Sequence, residues 1–135
     1  MLYEIKLKVV KTLDDGQQKE IKEHYICDAE LHGEAETIGY GLYPGQTIDV
    51  FAVFRSDVRE IINSPEDGEL CFKATVVDVF TDENGKEKEL KYPMLVFADN
   101  FNEATKRANE YLKQGYDMTL DSVKRIKILD YIKHE

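Results

Sequence analysis

The chain states one pattern twice. Residues 3–16, Tyr-Glu-Ile-Lys-Leu-Lys-Val-Val-Lys-Thr-Leu-Asp-Asp-Gly, return in looser form as residues 72–85, Phe-Lys-Ala-Thr-Val-Val-Asp-Val-Phe-Thr-Asp-Glu-Asn-Gly. Gly16 superposes on Gly85, an offset of 69. From Tyr3 to Ala35 nine of 33 positions are then identical, where unrelated sequence gives about two. The identities are Val10/Val79, Thr12/Thr81, Gly16/Gly85, Lys19/Lys88, Glu20/Glu89, Lys22/Lys91, Ala29/Ala98, Glu34/Glu103 and Ala35/Ala104. A repeat of this length limits the fold to two copies of one small unit. Each copy alone is near the size at which a single core is marginal, so the copies are expected to share one compact domain.

The local signals agree between the copies. Tyr3, Ile5, Leu7 and Val9 alternate with Glu4, Lys6 and Lys8, the period of a half-buried strand. Residues 72–80 repeat the alternation with more apolar character. Asp15-Gly16 and Asn84-Gly85 are hairpin turns, because Gly accepts φ > 0 without steric cost. Returning strands are expected at about 19–27 and 88–97. Pro93 lacks an amide donor, which predicts an edge strand or a bulge there. A helix follows in each copy. In the second, Asp99 or Asn100 caps it, Ala104, Ala108, Tyr111 and Leu112 form its apolar stripe, and Gly115 ends it. In the first, Gly39, Gly41 and Pro44-Gly45 predict a shorter helix with an irregular end. Closing strands are expected at 53–62 and 122–132, where Ser56-Asp57-Val58-Arg59 echoes Asp121-Ser122-Val123-Lys124 at an offset reduced to 65. The predicted fold is α+β: tandem duplicated ββαβ units, six main strands and two helices in one compact domain. The repeats span about 1–62 and 70–133, with a polar linker at 63–69. Each third strand is expected beside the first strand of its own copy.

These elements also resemble a known layout. Cys27-Asp28-Ala29, Glu34-Ala35-Glu36, Ser56-Asp57-Val58-Arg59, Asn102-Glu103-Ala104 and Ser122-Val123-Lys124 are similar to motifs of an uncharacterised domain-of-unknown-function family. That family is common in Bacteroides-type gut bacteria and their phages and mobile elements. The resemblance covers nearly the whole chain. It implies a duplicated ββαβ unit and a bacterial host cytoplasm, and carries no catalytic residues over. The chain departs from the pattern at Gly39, Gly41 and Tyr43-Pro44-Gly45, all after the first helix begins.

Charge restricts the partners. The formal net charge is −9 over 135 residues. Residues 1–67 hold 7 basic and 14 acidic side chains, and residues 68–135 hold 11 and 13. Acidity opposes binding to phosphate backbones, which depends on Lys and Arg releasing counterions. Nucleic acid is therefore disfavoured, and the second copy is its better candidate. In that copy Lys86, Lys88, Lys91, Lys106, Arg107, Lys113, Lys124, Arg125 and Lys127 offer a mild basic surface among the aromatic residues. In the first copy Glu20, Glu23, Asp28, Glu30, Glu34 and Glu36 form an acidic face able to mimic phosphates, though a plain solvated face is the simpler reading. No apolar run approaches the length of a membrane helix and no signal peptide is visible, so a cytoplasmic location without membrane contact is expected.

Catalytic and metal readings are weak. The glycines at 39, 41 and 45 fall at a helix end, where carbonyls face outward and a phosphate cradle is not formed. His24 and Cys27 are three apart in a strand, hence on opposite faces, and His32 and His134 lie elsewhere. Cys27 and Cys71 sit in apolar strands and read as buried thiols rather than nucleophiles or a disulfide. Asp14-Asp15 and Asp82-Glu83 occupy hairpin tips, where solvent screens them. The expectation is a protein without catalytic, cofactor or metal residues. It binds another protein, or a second copy of itself, through a sheet surface or the repeat interface. The candidate partner surface is Lys106, Arg107, Lys124, Arg125, Tyr40 and Tyr43. The alternatives are single-stranded nucleic-acid binding through the second copy, an acidic nucleic-acid mimic, or a ligand site at the repeat junction.

Overall fold

A computed structural model describes residues 1–114 and 118–133. Their element order is β1 (Leu2–Thr12), β2 (Gln18–Asp28), α1 (His32–Tyr40), β3 (Ile48–Arg55), β4 (Glu60–Ile61), β5 (Leu70–Thr81), β6 (Glu87–Ala98), α2 (Phe101–Leu112), β7 (Met118–Arg125) and β8 (Ile128–Ile132). The fold is α+β, and the eight strands form two four-stranded sheets. The six strands expected from sequence are corrected to eight. The stretch taken as one closing strand in each copy contains two, and the two belong to different sheets.

The chain divides into two compact units. The first holds Met1–Ser56 and recovers the chain at Ile128; the second is Asp57–Lys127. In the first unit the strand order is β3-β1-β2-β8. In the second, counted from its opposite edge, it is β7-β5-β6-β4. Each unit is thus an antiparallel hairpin with its post-helix strand added antiparallel beside the first strand, as expected. A short parallel strand flanks the other side.

The first unit buries one face of its hairpin against α1. Tyr3, Ile5, Leu7 and Val9 of β1 and Tyr25 and Cys27 of β2 form this core with Ala29 and Ala35. Full burial of a side chain such as Ile5 or Leu7 contributes about 1.5–3 kcal/mol, so this stripe dominates the unit's cohesion. α1 is nine residues long, and its N-cap residue, Leu31, offers no side-chain cap. Gly39 does not break it. The helix crosses β1 and β3 so closely that a Cβ at Gly39 would lie 2.9 Å from Ile5 Cγ2 and 3.2 Å from Val50 Cγ2. The glycine read as a weak point is therefore a packing requirement.

The second unit repeats the plan with a sounder helix. Asn100 Oδ1 accepts the Glu103 amide at 2.9 Å, the N-cap expected from sequence. Ala104, Ala108 and Leu112 are its buried stripe. The expected stop at Gly115 lies outside the described residues. Phe72, Ala74, Val96 and Ala98 pack on the two alanines, while Val76 and Met94 pack with Leu112.

Both hairpin tips close as expected. Gly16 has φ 83 and Gly85 φ 77. Leu13 and Gln17 frame the first turn, and Asp82 and Lys86 frame the second. Pro93 causes no bulge in the β5–β6 ladder and does not mark an edge, since β6 lies between β5 and β4. Its carbonyl accepts the Arg59 amide at 2.9 Å, on the side of β6 where β4 only begins, so no ladder bond is lost there.

The ladders also correct the alignment of the closing strands. β1–β3 has its irregularity between Lys6 and Leu7, β5–β7 between Thr75 and Val76, again 69 apart. The residues left over are Phe51 and Asp121, so β3 and β7 correspond at an offset of 70. The 65-residue echo matched similar side chains at different structural positions. The bulge changes the phase of the alternation within 48–55 and hides that strand from a period-two reading.

Residues 63–69 are likewise more than a spacer. The Asn63 side chain donates to Phe97 O at 2.8 Å and accepts the Phe97 amide at 2.9 Å. It thereby prolongs the β4 edge by one step beyond Ile61.

Candidate functional site

The outward-facing residues of β3 define one surface of the first unit. β3 is an edge strand of its sheet. Phe51 and Phe54 on it are 44% and 39% exposed. The Lys8 ammonium lies 5.3 Å from the Phe51 ring centre and Lys6 5.7 Å from that of Phe54. The result is a strip of aromatic faces and cations on an edge strand, where the Val53 carbonyl is already met by His32 Nε2 at 2.9 Å. Further along the same sheet face, Glu4 accepts from Ser56 Oγ at 2.8 Å and contacts His24 Nε2 at 2.8 Å. The His24 contact, with help from Ser56, holds the Glu4 carboxyl below its ordinary range despite partial burial.

A polar cluster occupies the helix-facing side of the same hairpin. Glu23 stands opposite Leu7 in the ladder and is 8% exposed. It is withdrawn from the acidic face expected from sequence. Its Oε1 accepts hydrogen bonds from the Tyr25 and Tyr43 hydroxyls, and its Oε2 receives Lys11 Nζ at 3.1 Å. Burial opposes the charge on Glu23, but the three donors outweigh it and hold the carboxyl below its ordinary range. Burial, then Tyr43 and Glu23, push the Tyr25 phenol well upward. Tyr43 and Glu23 raise the Lys11 ammonium, which also lies 5.3 Å from the centre of the Tyr43 ring. The cluster borders an open groove of about 730 Å³ lined by Val10, Lys11, Thr12, Gln18, Tyr43, Gln46 and Thr47.

Among its described residues the second unit shows no such cluster at the corresponding positions. At the 69-residue offset Lys11, Glu23, Tyr25 and Tyr43 correspond to Phe80, Tyr92, Met94 and Leu112. Met94 and Leu112 are there part of an apolar core with Val76, and Tyr92 packs against it. Among the described residues these corresponding positions carry no charged side chain.

The residues selected from sequence are dispersed. Lys106 is exposed on α2. Arg107 is not a free cation: Nη1 donates to Glu69 Oε2 and to Phe97 O, both at 2.6 Å, and Nη2 to Glu103. Glu69 raises its pKa further. Lys124 and Arg125 are exposed on β7, opposite Lys73 and Phe72 and thus on opposite faces of the strand. Tyr40 is exposed at the end of α1, and Tyr43 belongs to the Glu23 cluster. Sequence reasoning missed Phe51, Phe54, Lys11 and Glu23 as a group. The one available signal was Glu23 itself, a carboxylate at a core-facing position of an alternating strand.

Cys27 is fully buried, and burial pushes its thiol up to about 11. Cys71 is buried in the second unit. Among the described residues no cluster of three or more His, Cys, Asp or Glu side chains could hold a metal ion, and no helix is long and apolar enough to cross a membrane. His134 lies outside the described residues.

The model of one family, Domain of unknown function (DUF4494), matches residues 1–134. No curated protein and no solved structure matches the chain.

Proposed function

We propose a protein-binding role for this chain, which belongs to the DUF4494 family of domains of unknown function. The chain acts as a non-enzymatic accessory protein that docks an extended segment of another protein along β3. The observation that carries this reading is the exposure of Phe51 and Phe54 on an edge strand, each beside a lysine. An open edge bearing aromatic side chains is a liability in a protein without a partner. It is also the feature used by domains that add a partner strand, with backbone bonds giving affinity and side chains giving selectivity. Lys6 and Lys8 favour a segment with acidic residues near its apolar ones.

We read this role as one in a bacterial cytoplasm, as part of a phage or mobile-element system; the resemblance to proteins of Bacteroides-type bacteria and their mobile elements supports that reading. We read the two units as products of one duplication. The nine identities, the matching turns and the bulges 69 residues apart support that history.

The test is affinity purification from the native host with the wild-type chain and with F51E/F54E. A discrete protein recovered in stoichiometric amount with the wild type, and lost with a variant whose circular dichroism is unchanged, supports the reading. A monomeric wild type that retains no protein refutes it. Salt-sensitive retention of single-stranded nucleic acid alone replaces it with the nucleic-acid reading.

A further inference from the structure

We propose that the groove beside Lys11 and Tyr43 is a binding site for a small organic carboxylate. This inference is independent of any protein partner along β3.

The first support is the contrast between the units. Among the described residues of the second unit, Tyr92, Met94 and Leu112 stand at the corresponding positions in an apolar cluster with Val76, while Phe80, at the place of Lys11, is exposed; the charged set of the first unit is not repeated at these positions. Burying a carboxylate with its partners is commonly no more stabilising than an apolar set of similar volume. The first unit nevertheless keeps Glu23 buried and surrounds it with three donors. The cluster lies at a groove whose volume of about 730 Å³ is in the range of small-molecule sites.

The second support is the chemistry of the lining. Glu23 is beneath the wall and its charge is taken up by Lys11, Tyr25 and Tyr43. Lys11 is the one formally charged residue among those lining the groove, and its side chain is 39% exposed. Glu23 uses one of its three N–H donors. Thr12, Gln18, Gln46 and Thr47, all neutral polar residues, also line the groove. Glu23 offsets much of the Lys11 charge, so the groove suits a monoanion held by the remaining ammonium N–H donors and the neutral polar residues rather than a more highly charged ligand. A phosphate dianion is better served by several cations or by a nest of backbone amides. Fixing Lys11 between Glu23 and the Tyr43 ring positions the ammonium before the ligand arrives, which lowers the ordering cost of binding.

The experiment is a titration of the full chain, followed by amide chemical shifts, with sodium gluconate, inorganic phosphate and uncharged glucitol at constant ionic strength. The expected result is saturable shifts at Thr12, Gln18, Gln46 and Thr47 with gluconate. Glucitol gives none, and phosphate binds more weakly. Lys11→Gln should weaken gluconate by about tenfold, the scale of one charge-assisted hydrogen bond. Q46A/T47V, two exposed loop changes, should weaken it while leaving the Glu23 cluster intact, and so serves if Lys11→Gln perturbs folding. Absence of saturable shifts with gluconate overturns the assignment. So do phosphate or glucitol shifts equal to those of gluconate, or affinity unchanged in both variants.

Discussion

The Tyr43 hydroxyl donates to the Glu23 carboxylate across 20 residues of sequence, joining the segment after α1 to the middle of β2. The bond links the least regular part of the first unit to its most regular part. It also completes the shell of donors that keeps a buried carboxylate charged.

Tyr43→Phe removes one of these donors and leaves the carboxylate under-satisfied. Loss of about 1–3 kcal/mol of unfolding free energy is expected, measured by urea denaturation. Replacing the whole cluster by the second unit's residues, K11F/E23Y/Y25M/Y43L, should behave differently. With no buried charge left, that variant is expected within about 1 kcal/mol of wild type, or above it. A quadruple variant that fails to fold would show that the first unit needs the polar set for structure.

Acid should destabilise the protein through Glu23 and Glu4. Both folded carboxyls titrate below the ordinary value of 4.5. The unfolded chain therefore binds protons first as pH falls. The stability these groups contribute is present above about pH 4.5 and is lost as pH falls through their folded values. Unfolding free energy followed from pH 6 to pH 3 should decline, and Glu23→Gln should make the decline shallower.

Gly39→Ala tests the close approach of α1 to β1. Helix propensity alone favours alanine by about 1 kcal/mol. The new Cβ would fall 2.9 Å from Ile5 Cγ2, and overpacking of this kind costs about 1–3 kcal/mol. A net loss of thermal stability is expected. Ala108→Gly in the corresponding place of α2 should also destabilise, there by leaving a void and weakening the helix.

Asn63→Ala should expose the backbone of Phe97. Both bonds between the Asn63 amide and the Phe97 main chain disappear, at a cost of about 1–3 kcal/mol. The Phe97 amide should then exchange with solvent faster than its neighbours Leu95 and Ala98.

Much of the fold was legible along the chain because its determinants are local. The alternation at Tyr3–Val9 gave β1, the Asp-Gly and Asn-Gly pairs gave the turns, and Asn100 with Ala104, Ala108 and Leu112 gave α2. The closing strands were misjudged because a bulge at Phe51 shifts the alternation, and because β4 is only two residues long. The site was less legible still. Glu23 was marked only by its core-facing place in an alternating strand, and its meeting with Lys11 and Tyr43 depends on strand register and on the path of the loop after α1. Arg107 shows the converse: a cation prominent in sequence is already committed to Glu69, Glu103 and Phe97.

The sequence by itself determined the repeated strand–turn–strand–helix plan, since periodicity, turn residues and caps act over a few positions. Tertiary structure alone decided that β8 joins β2 and that β4 joins β6. It also decided that Glu23 is buried among hydroxyls and an ammonium, and that Phe51 and Phe54 stay on an open edge. Those outcomes depend on which distant segments complete each sheet and exclude water, a competition among non-local contacts that no short stretch of sequence encodes.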